Sequence, residues 1–375
     1  MADIMNTDTT NIDAAPSKGM TIDQKMHAKE RITTLSMRVN DKCNFRCKYC
    51  FAHLDHPENK EMSFEMADNI LKWCKQHGIK SMNVPQKEPM QSWKVLKYII
   101  EKYSANGVMV KGITTNCSNM PLDAIKTFKK YNMYILCSYD GLWQDDTRIF
   151  ANSKGTSKIV EKNLYALKGA DVNFGIACAI TKNNTKRIVE NYEYLKEINP
   201  GIAFNFDTTS PLAITKKELP DIKKAFKHLI NETLDIFPVN KIFNRMQQKA
   251  KYTNFMCGAG RGSYTIDWDG TFYPCYHAPA WKKMGINLGN IHDGVNWKEK
   301  AKFRQYDTKT PDKCKTCPTG LCGICYVNSY DAMGDMLMPI PVNCEIFRIL
   351  TALIKKRIRD NPPPKHKQAG GLKAK

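Results

Sequence analysis

The chain has 375 residues, 42% of them hydrophobic and 10% aromatic, which is enough to bury a full core and argues against wholesale disorder or a small disulfide-stapled domain. No run approaches the roughly 18 consecutive apolar residues of a membrane span, and the polar N-terminus "MADIMNTDTTNIDAAPSKG" lacks the charged-then-apolar order of a secretion signal; a cytoplasmic protein without a membrane partner is expected. The net charge of +20 attracts polyanions at long range, but it is spread along the chain with a local excess in the tail "KKRIRDNPPPKHKQAGGLKAK", a pattern more typical of a solvated appendage than of a nucleic-acid reader.

Residues 1–32 read as a disordered segment. From 33 to 240, short apolar runs alternate with amphipathic helical stretches, the mark of βαβ units with parallel strands. The runs are "TLSMRV", "KSMNVP", "VMVKGITTN", "MYILCSYD", "VNFGIACAIT" and "IAFNFDTT". Between them, "SFEMADNILKWCKQHG" offers Ser63 as a cap and Gly78 as a stop, and "SWKVLKYIIEKYSANG" stops at Gly107. Six such repeats predict an α/β fold, a partial (β/α)6 TIM-like barrel. Chemistry in such barrels gathers at the C-terminal strand ends, where Cys43, Asn116, Ser138 and Asp140 fall.

The first strand runs into "CNFRCKYC", a C-x3-C-x2-C loop with three cysteines, Cys43, Cys47 and Cys50. Thiolates suit zinc or iron–sulfur clusters. A closed structural zinc site needs four ligands, and His53 follows Cys50 too closely for the usual finger layout. A [4Fe–4S] cluster on three cysteines leaves one iron open to an external ligand. A zinc knuckle borrowing a distant ligand is the alternative.

Near residue 240 the periodicity breaks. Residues 241–350, rich in Gly, Pro and Cys, read as a second, metal-stapled domain that "IFRILTALIKKRI" closes as a helix, with 351–375 as a basic tail. Its seven cysteines are Cys257, Cys275, Cys314, Cys317, Cys322, Cys325 and Cys344, too many for core packing alone; two zinc ribbons would account for the C-x2-C pairs. The remaining four, Cys74, Cys117, Cys137 and Cys178, sit in helix or strand patterns and read as small buried hydrophobes, although Cys117 and Cys178 could also line the barrel mouth.

The cysteine loop with Tyr49 before its last thiol, placed after the first strand of a βα barrel, resembles the radical S-adenosylmethionine superfamily. The resemblance implies that Cys43, Cys47 and Cys50 hold a catalytic [4Fe–4S] cluster, whose open iron takes the amino and carboxylate groups of S-adenosylmethionine, and that Tyr49 lies beside the adenine. Electron transfer then yields a 5′-deoxyadenosyl radical. Where the family shows Gly-Gly-Glu-Pro, this chain has Gln86, Lys87, Glu88 and Pro89; Lys87 would meet the cofactor carboxylate or point to solvent. "CSYDGLWQDDTR" is similar to the family's fourth strand end, which makes Ser138 and Arg148 cofactor contacts.

The later cysteines resemble the SPASM extension, which carries auxiliary [4Fe–4S] clusters. In order, Cys314, Cys317, Cys322 and Cys344 would hold an outer cluster and Cys257, Cys275 and Cys325 an inner one, with Ser263 where some relatives have a further cysteine. The two gaps within the Cys317–Cys325 stretch are each one residue shorter than usual.

SPASM-type enzymes mostly modify peptides or proteins, so the resemblance implies an oxidative peptide- or protein-modifying radical enzyme, an oxidoreductase. It implies an electron donor such as flavodoxin or ferredoxin. Only about thirty polar residues precede the barrel, so leader-peptide recognition would fall to a separate protein or to the basic surface. Tyr276 follows Cys275 where sulfatase-maturing relatives carry Asp, which disfavours formylglycine formation. A small-molecule radical dehydrogenase or transferase, and a non-catalytic metal-stapled nucleic-acid binder, are the alternatives.

Overall fold

The computed structural model describes residues 34–50, 59–248, 258–308, 311–317, 319 and 322–361. The N-terminal segment 1–32, Cys257 and the tail beyond 361 lie outside them. Six strands pair in parallel in the order β6-β5-β4-β3-β2-β1: β1 (Thr34–Met37), β2 (Ser81–Val84), β3 (Met109–Thr115), β4 (Tyr134–Ser138), β5 (Phe174–Ile180) and β6 (Ile202–Phe206). β5 is buried at every residue, as a parallel strand covered on both faces must be, whereas β2 and β4 alternate between buried and half-buried positions.

The connecting helices show why the rhythm was readable. In α1 (Phe64–Gln76) the Ser63 hydroxyl accepts the Met66 N–H at 3.0 Å, and Ala67, Ile70, Leu71 and Cys74 form the buried stripe. α2 (Trp93–Ala105) buries Val95, Leu96, Ile99, Ile100 and Tyr103. Each helix is followed, one residue past its cap, by a glycine in the left-handed region, Gly78 at φ +65° and Gly107 at +77°. Further helices are α3 (Leu122–Lys130), α4 (Ser157–Gly169), α5 (Ile188–Ile198), α6 (Leu219–Glu232) and α7 (Val239–Gln247). Together these elements form a partial TIM-like barrel.

The sheet continues past residue 240. β7 (Ser263–Ile266) pairs in parallel with β1, Thr34 opposite Ser263 through Met37 opposite Ile266, and β8 (Phe272–Tyr273) returns antiparallel to β7. The cysteine-rich region therefore begins as an extension of the barrel sheet on the β1 side. It then holds α8 (Ala278–Lys283), α9 (Trp297–Thr308), a single turn at Asp312–Lys315, α10 (Tyr326–Met333) and α11 (Pro341–Asp360). α11 buries Ile346, Leu350 and Ile354 and packs on α6 and α7. The closing helix thus buttresses the barrel, where the sequence pattern placed it only as the end of the second domain.

Candidate metal and cofactor site

The cysteine loop is fixed by its backbone before any ligand is considered. Arg46 N–H donates to Ile149 O at 2.7 Å, Lys48 N–H to Thr147 O at 2.9 Å, and Ala151 N–H to Asn44 O at 2.9 Å, so the loop lies along residues 147–151 as a short strand-like pair. Glu88 N–H donates to Lys42 O at 3.0 Å, tying the loop to the end of β2. Phe45, fully buried, meets Phe150 edge to face. Arg46 donates back to the Cys43 and Phe45 carbonyls.

Burial pushes the Cys43 thiol up to about 12 and Cys47 up to about 11; in Cys43 the neighbouring Glu88, Cys47 and Cys50 add to this, while Arg148 pulls Cys47 the other way. A bound cation would reverse that penalty. The three thiols are near enough to repel one another as thiolates. Elsewhere, Glu193, His228 and Glu232 bring three ligand-type side chains together. The Glu193 group is exposed, and Lys196 occupies it through ion pairs to Glu193 and Glu232.

Asp140, just past β4, organises the other side of the mouth. Fully buried, it accepts Tyr49 O–H, Thr147 O–H at 2.7 Å and Ala179 N–H at 2.8 Å. Arg148 Nε stands 3.1 Å from Asp140 Oδ2, off hydrogen-bonding angle, while its guanidinium lies 5.2 Å over the Tyr49 ring and Nη1 reaches Cys47 Sγ at 3.9 Å. Burial, and then the charges of Asp140 and Cys47 against that of Arg148, hold the Tyr49 hydroxyl protonated well above its ordinary range. Tyr49, Arg148 and Cys47 thus form one unit, and Asp140, which the sequence reading placed at a strand end without a role, is its hub. Ser138 ends β4 half-buried, with no side-chain hydrogen bond among the described residues.

Beyond β2 the four expected residues separate into two kinds. Glu88 is fully buried and accepts Met90 N–H, Thr115 O–H and Asn116 N–H at 3.0, 2.7 and 2.6 Å; burial outweighs these donors and pushes its carboxyl up to about 7. Lys87 takes neither course open to it from sequence. Its amine is 2.9 Å from Asp41, which also receives Arg38 at 2.8 Å, and Arg38 reaches Asp267 on the β7–β8 turn at 3.1 Å. The Lys87 backbone nonetheless holds φ +58°, the conformation glycine favours, at a cost of about 1–2 kcal/mol for another residue. Gln86, 4% exposed, has neither amide atom hydrogen-bonded.

In the second region Cys314, Cys317, Cys322 and Cys344 come together. Burial raises the Cys322 thiol to about 11, with Cys344, Cys317 and Cys314 adding to it, and Cys344 is raised by burial, Cys314 and Cys317 against Arg348. Cys314, Cys322, Cys325 and Cys344 also line one cavity. Cys325 caps the start of α10 and is exposed; Cys275 follows β8 and receives the Trp281 indole N–H at 3.1 Å. The four remaining cysteines are fully buried, and Cys117 and Cys137 touch each other at 2.9 Å.

Two family descriptions match this chain: the radical SAM superfamily over residues 37–195, and an iron–sulfur cluster-binding domain, SPASM, over 257–318. An uncharacterized protein of Methanocaldococcus jannaschii is 27% identical over 287 residues, 73% of this chain and 93% of its own length. A cysteine-type anaerobic sulfatase-maturating enzyme of Clostridium novyi is 22% identical over 319 residues, 76% of this chain and 85% of that one. Among solved structures, native anSMEcpe with bound AdoMet and Cp18Cys peptide shares the fold at a TM-score of 0.71, with 18% identity, covering 87% of this chain and 98% of that one. The chain carries a radical S-adenosylmethionine domain at residues 37–195. More narrowly, it is of the SPASM kind, with S-adenosylmethionine and [4Fe–4S] clusters as cofactors, one cluster in the barrel domain and auxiliary iron–sulfur in the C-terminal region. Among the described residues no helix is long and apolar enough to cross a membrane.

Proposed function

We propose that the enzyme oxidatively modifies a side chain of a peptide or protein, by cross-linking, dehydrogenation or a related loss of hydrogen. When bound, the cluster and S-adenosylmethionine supply a one-electron cleavage that gives a 5′-deoxyadenosyl radical. The observation that carries the reading is the three-thiol loop, locked to the barrel mouth by backbone bonds and flanked by the Tyr49–Arg148–Asp140 unit. The likeness in fold to a peptide-bound structure and the similarity to a sulfatase-maturating enzyme support a peptide or protein substrate.

Cys43, Cys47 and Cys50 would hold the catalytic cluster. S-adenosylmethionine would lie against Tyr49, Gln86, Ser138 and Arg148, with Lys87 and Glu88 shaping the loop from behind. The unpaired Gln86 amide supports this, because each buried polar group left without a partner costs about 1–3 kcal/mol that a polar ligand would relieve. Arg148 supplies a positive charge and an N–H beside Cys47, fixed in place by Asp140. In the second region Cys314, Cys317, Cys322 and Cys344 would hold the outer auxiliary cluster, and Cys257, Cys275 and Cys325 the inner one with an open iron. Electrons would come from a flavodoxin- or ferredoxin-type donor, and leader recognition from a separate protein. A cytoplasmic setting, where thiols stay reduced and available as ligands, suits this chemistry.

The test is anaerobic turnover of the reconstituted enzyme with candidate peptides, read by mass spectrometry. Loss of hydrogen from the peptide with matching 5′-deoxyadenosine is expected. A mass gain, or consumption of a small molecule with every peptide untouched, contradicts the proposal.

A further inference from the structure

We propose that Trp281 sets the reduction potential of the auxiliary centre at Cys275 by donating its indole N–H to that sulfur. This rests on the reading of Cys275 as a cluster ligand. The indole nitrogen stands 3.1 Å from Cys275 Sγ, and the side chain is fully buried. An indole nitrogen is only ever a donor, and a buried one without an acceptor is costly. Here the acceptor is a sulfur that gains negative charge as a ligating thiolate, which strengthens the bond.

The surroundings deny the ring another orientation. Trp281 meets Phe303 edge to face at 5.6 Å and Tyr326 at 6.3 Å, and Phe303 packs on Tyr306 and Tyr326 at 5.6 and 5.8 Å. Phe303 in turn lies against Gly260, where an added Cβ would fall 2.3 Å from its ring. Tyr326 directly follows Cys325, so this one aromatic group spans from the residue after Cys325 to the donor on Cys275. The N–H is held on the sulfur from several sides.

Hydrogen bonds to cluster sulfurs, local charge and solvent exposure set iron–sulfur potentials. A donor on a ligand sulfur stabilises the more negative, reduced cluster and so raises its potential. The outer thiols are treated differently. Arg348, on the exposed face of α11 and paired with Glu345 at 2.6 Å, interacts with Cys317. One centre is tuned by a neutral, buried dipole and the other by an exposed, screened charge.

The test is a redox titration of the reconstituted full chain, followed by electron paramagnetic resonance. In Trp281→Phe, which keeps the ring and removes the N–H, one auxiliary midpoint should move to more negative potential with iron content and the barrel cluster's midpoint unchanged. Phe303→Leu, which loosens the same aromatic group and keeps the N–H, should move that midpoint less. Unchanged midpoints in Trp281→Phe, or an equal shift in Phe303→Leu, overturn the proposal. Should Trp281→Phe lose iron, wild-type protein carrying indole-15N tryptophan decides: a nitrogen hyperfine coupling to a reduced auxiliary centre is expected, and its absence is contrary. A Cys275→Ser variant with full iron and unaltered spectra would instead remove the ligand reading beneath it.

Discussion

The barrel mouth and the C-terminal cysteine region carry the same thiol chemistry on opposite kinds of support. At the mouth, Cys43, Cys47 and Cys50 sit on a loop whose neighbours are tied by backbone bonds to residues 147–151 and to Glu88, with Asp140 and Arg148 clamping it from β4. In the C-terminal region, Cys314 rides on a single turn, Cys325 caps a two-turn helix and Cys344 lies in the first turn of α11. The first loop has its shape from the fold. Among the described residues the second set rests on short elements, so bound metal is expected to supply a larger share of the folding free energy there.

Iron removal should expose that contrast most strongly. After chelation, amides in the Asp312–Lys315 turn and α10 should exchange faster by about two orders of magnitude or more, while β3, β4 and β5 keep their protection. Uniform loss across both regions would mean the barrel also depends on its cluster.

Next in size is Asp140→Ala. It leaves Arg148 without its buried partner and strips acceptors from Tyr49 and Thr147, so chemical unfolding should show a loss of about 3–5 kcal/mol. Loss below about 1 kcal/mol would remove Asp140 as the hub of the mouth.

Glu88 gives the mouth a pH signature. Its folded carboxyl is raised from 4.5 to about 7, so its share of stability is complete below 4.5 and is lost as pH rises toward 7, an effect on the order of 3 kcal/mol. Metal-free wild type should therefore lose stability across that window, relative to Glu88→Gln, whose amide does not titrate. Parallel pH profiles would contradict it.

In the C-terminal region the corresponding point of rigidity is Gly260. Gly260→Ala drives a methyl into the Phe303 ring at φ +72° and should cost about 2 kcal/mol. Thermal unfolding of the reconstituted protein reads it, and a neutral result would show that the aromatic group can shift.

The division between what was legible and what was not follows the range of the interactions. Six strands, the Ser63 cap and the stops at Gly78 and Gly107 are local patterns, so the sequence displays them. The grouping of Cys314, Cys317, Cys322 and Cys344 came from the resemblance to the SPASM extension and from no local pattern; these four thiols lie close enough to interact. The Tyr49–Asp140 clamp joins residues 91 positions apart, and the Lys87–Asp41–Arg38–Asp267 chain of charges crosses from β1 to β7; no local pattern encodes either. β7 is a four-residue strand between Gly262 and Asp267, too short to announce that it extends the barrel sheet. α11 shows its apolar stripe but not the surface that receives it. Trp281 carried no signal at all, since an indole six residues past a cysteine is usually core.

The central claim is that the loop from Cys43 to Cys50 holds a cluster with one iron free for S-adenosylmethionine. Electron paramagnetic resonance of the reduced, reconstituted protein, recorded before and after adding S-adenosylmethionine, tests it most directly. The account predicts a changed signal with 5′-deoxyadenosine formed, and loss of both in Cys43→Ala, Cys47→Ala and Cys50→Ala while the auxiliary signals persist. An unaltered spectrum, or a response that survives removal of these cysteines, would contradict it.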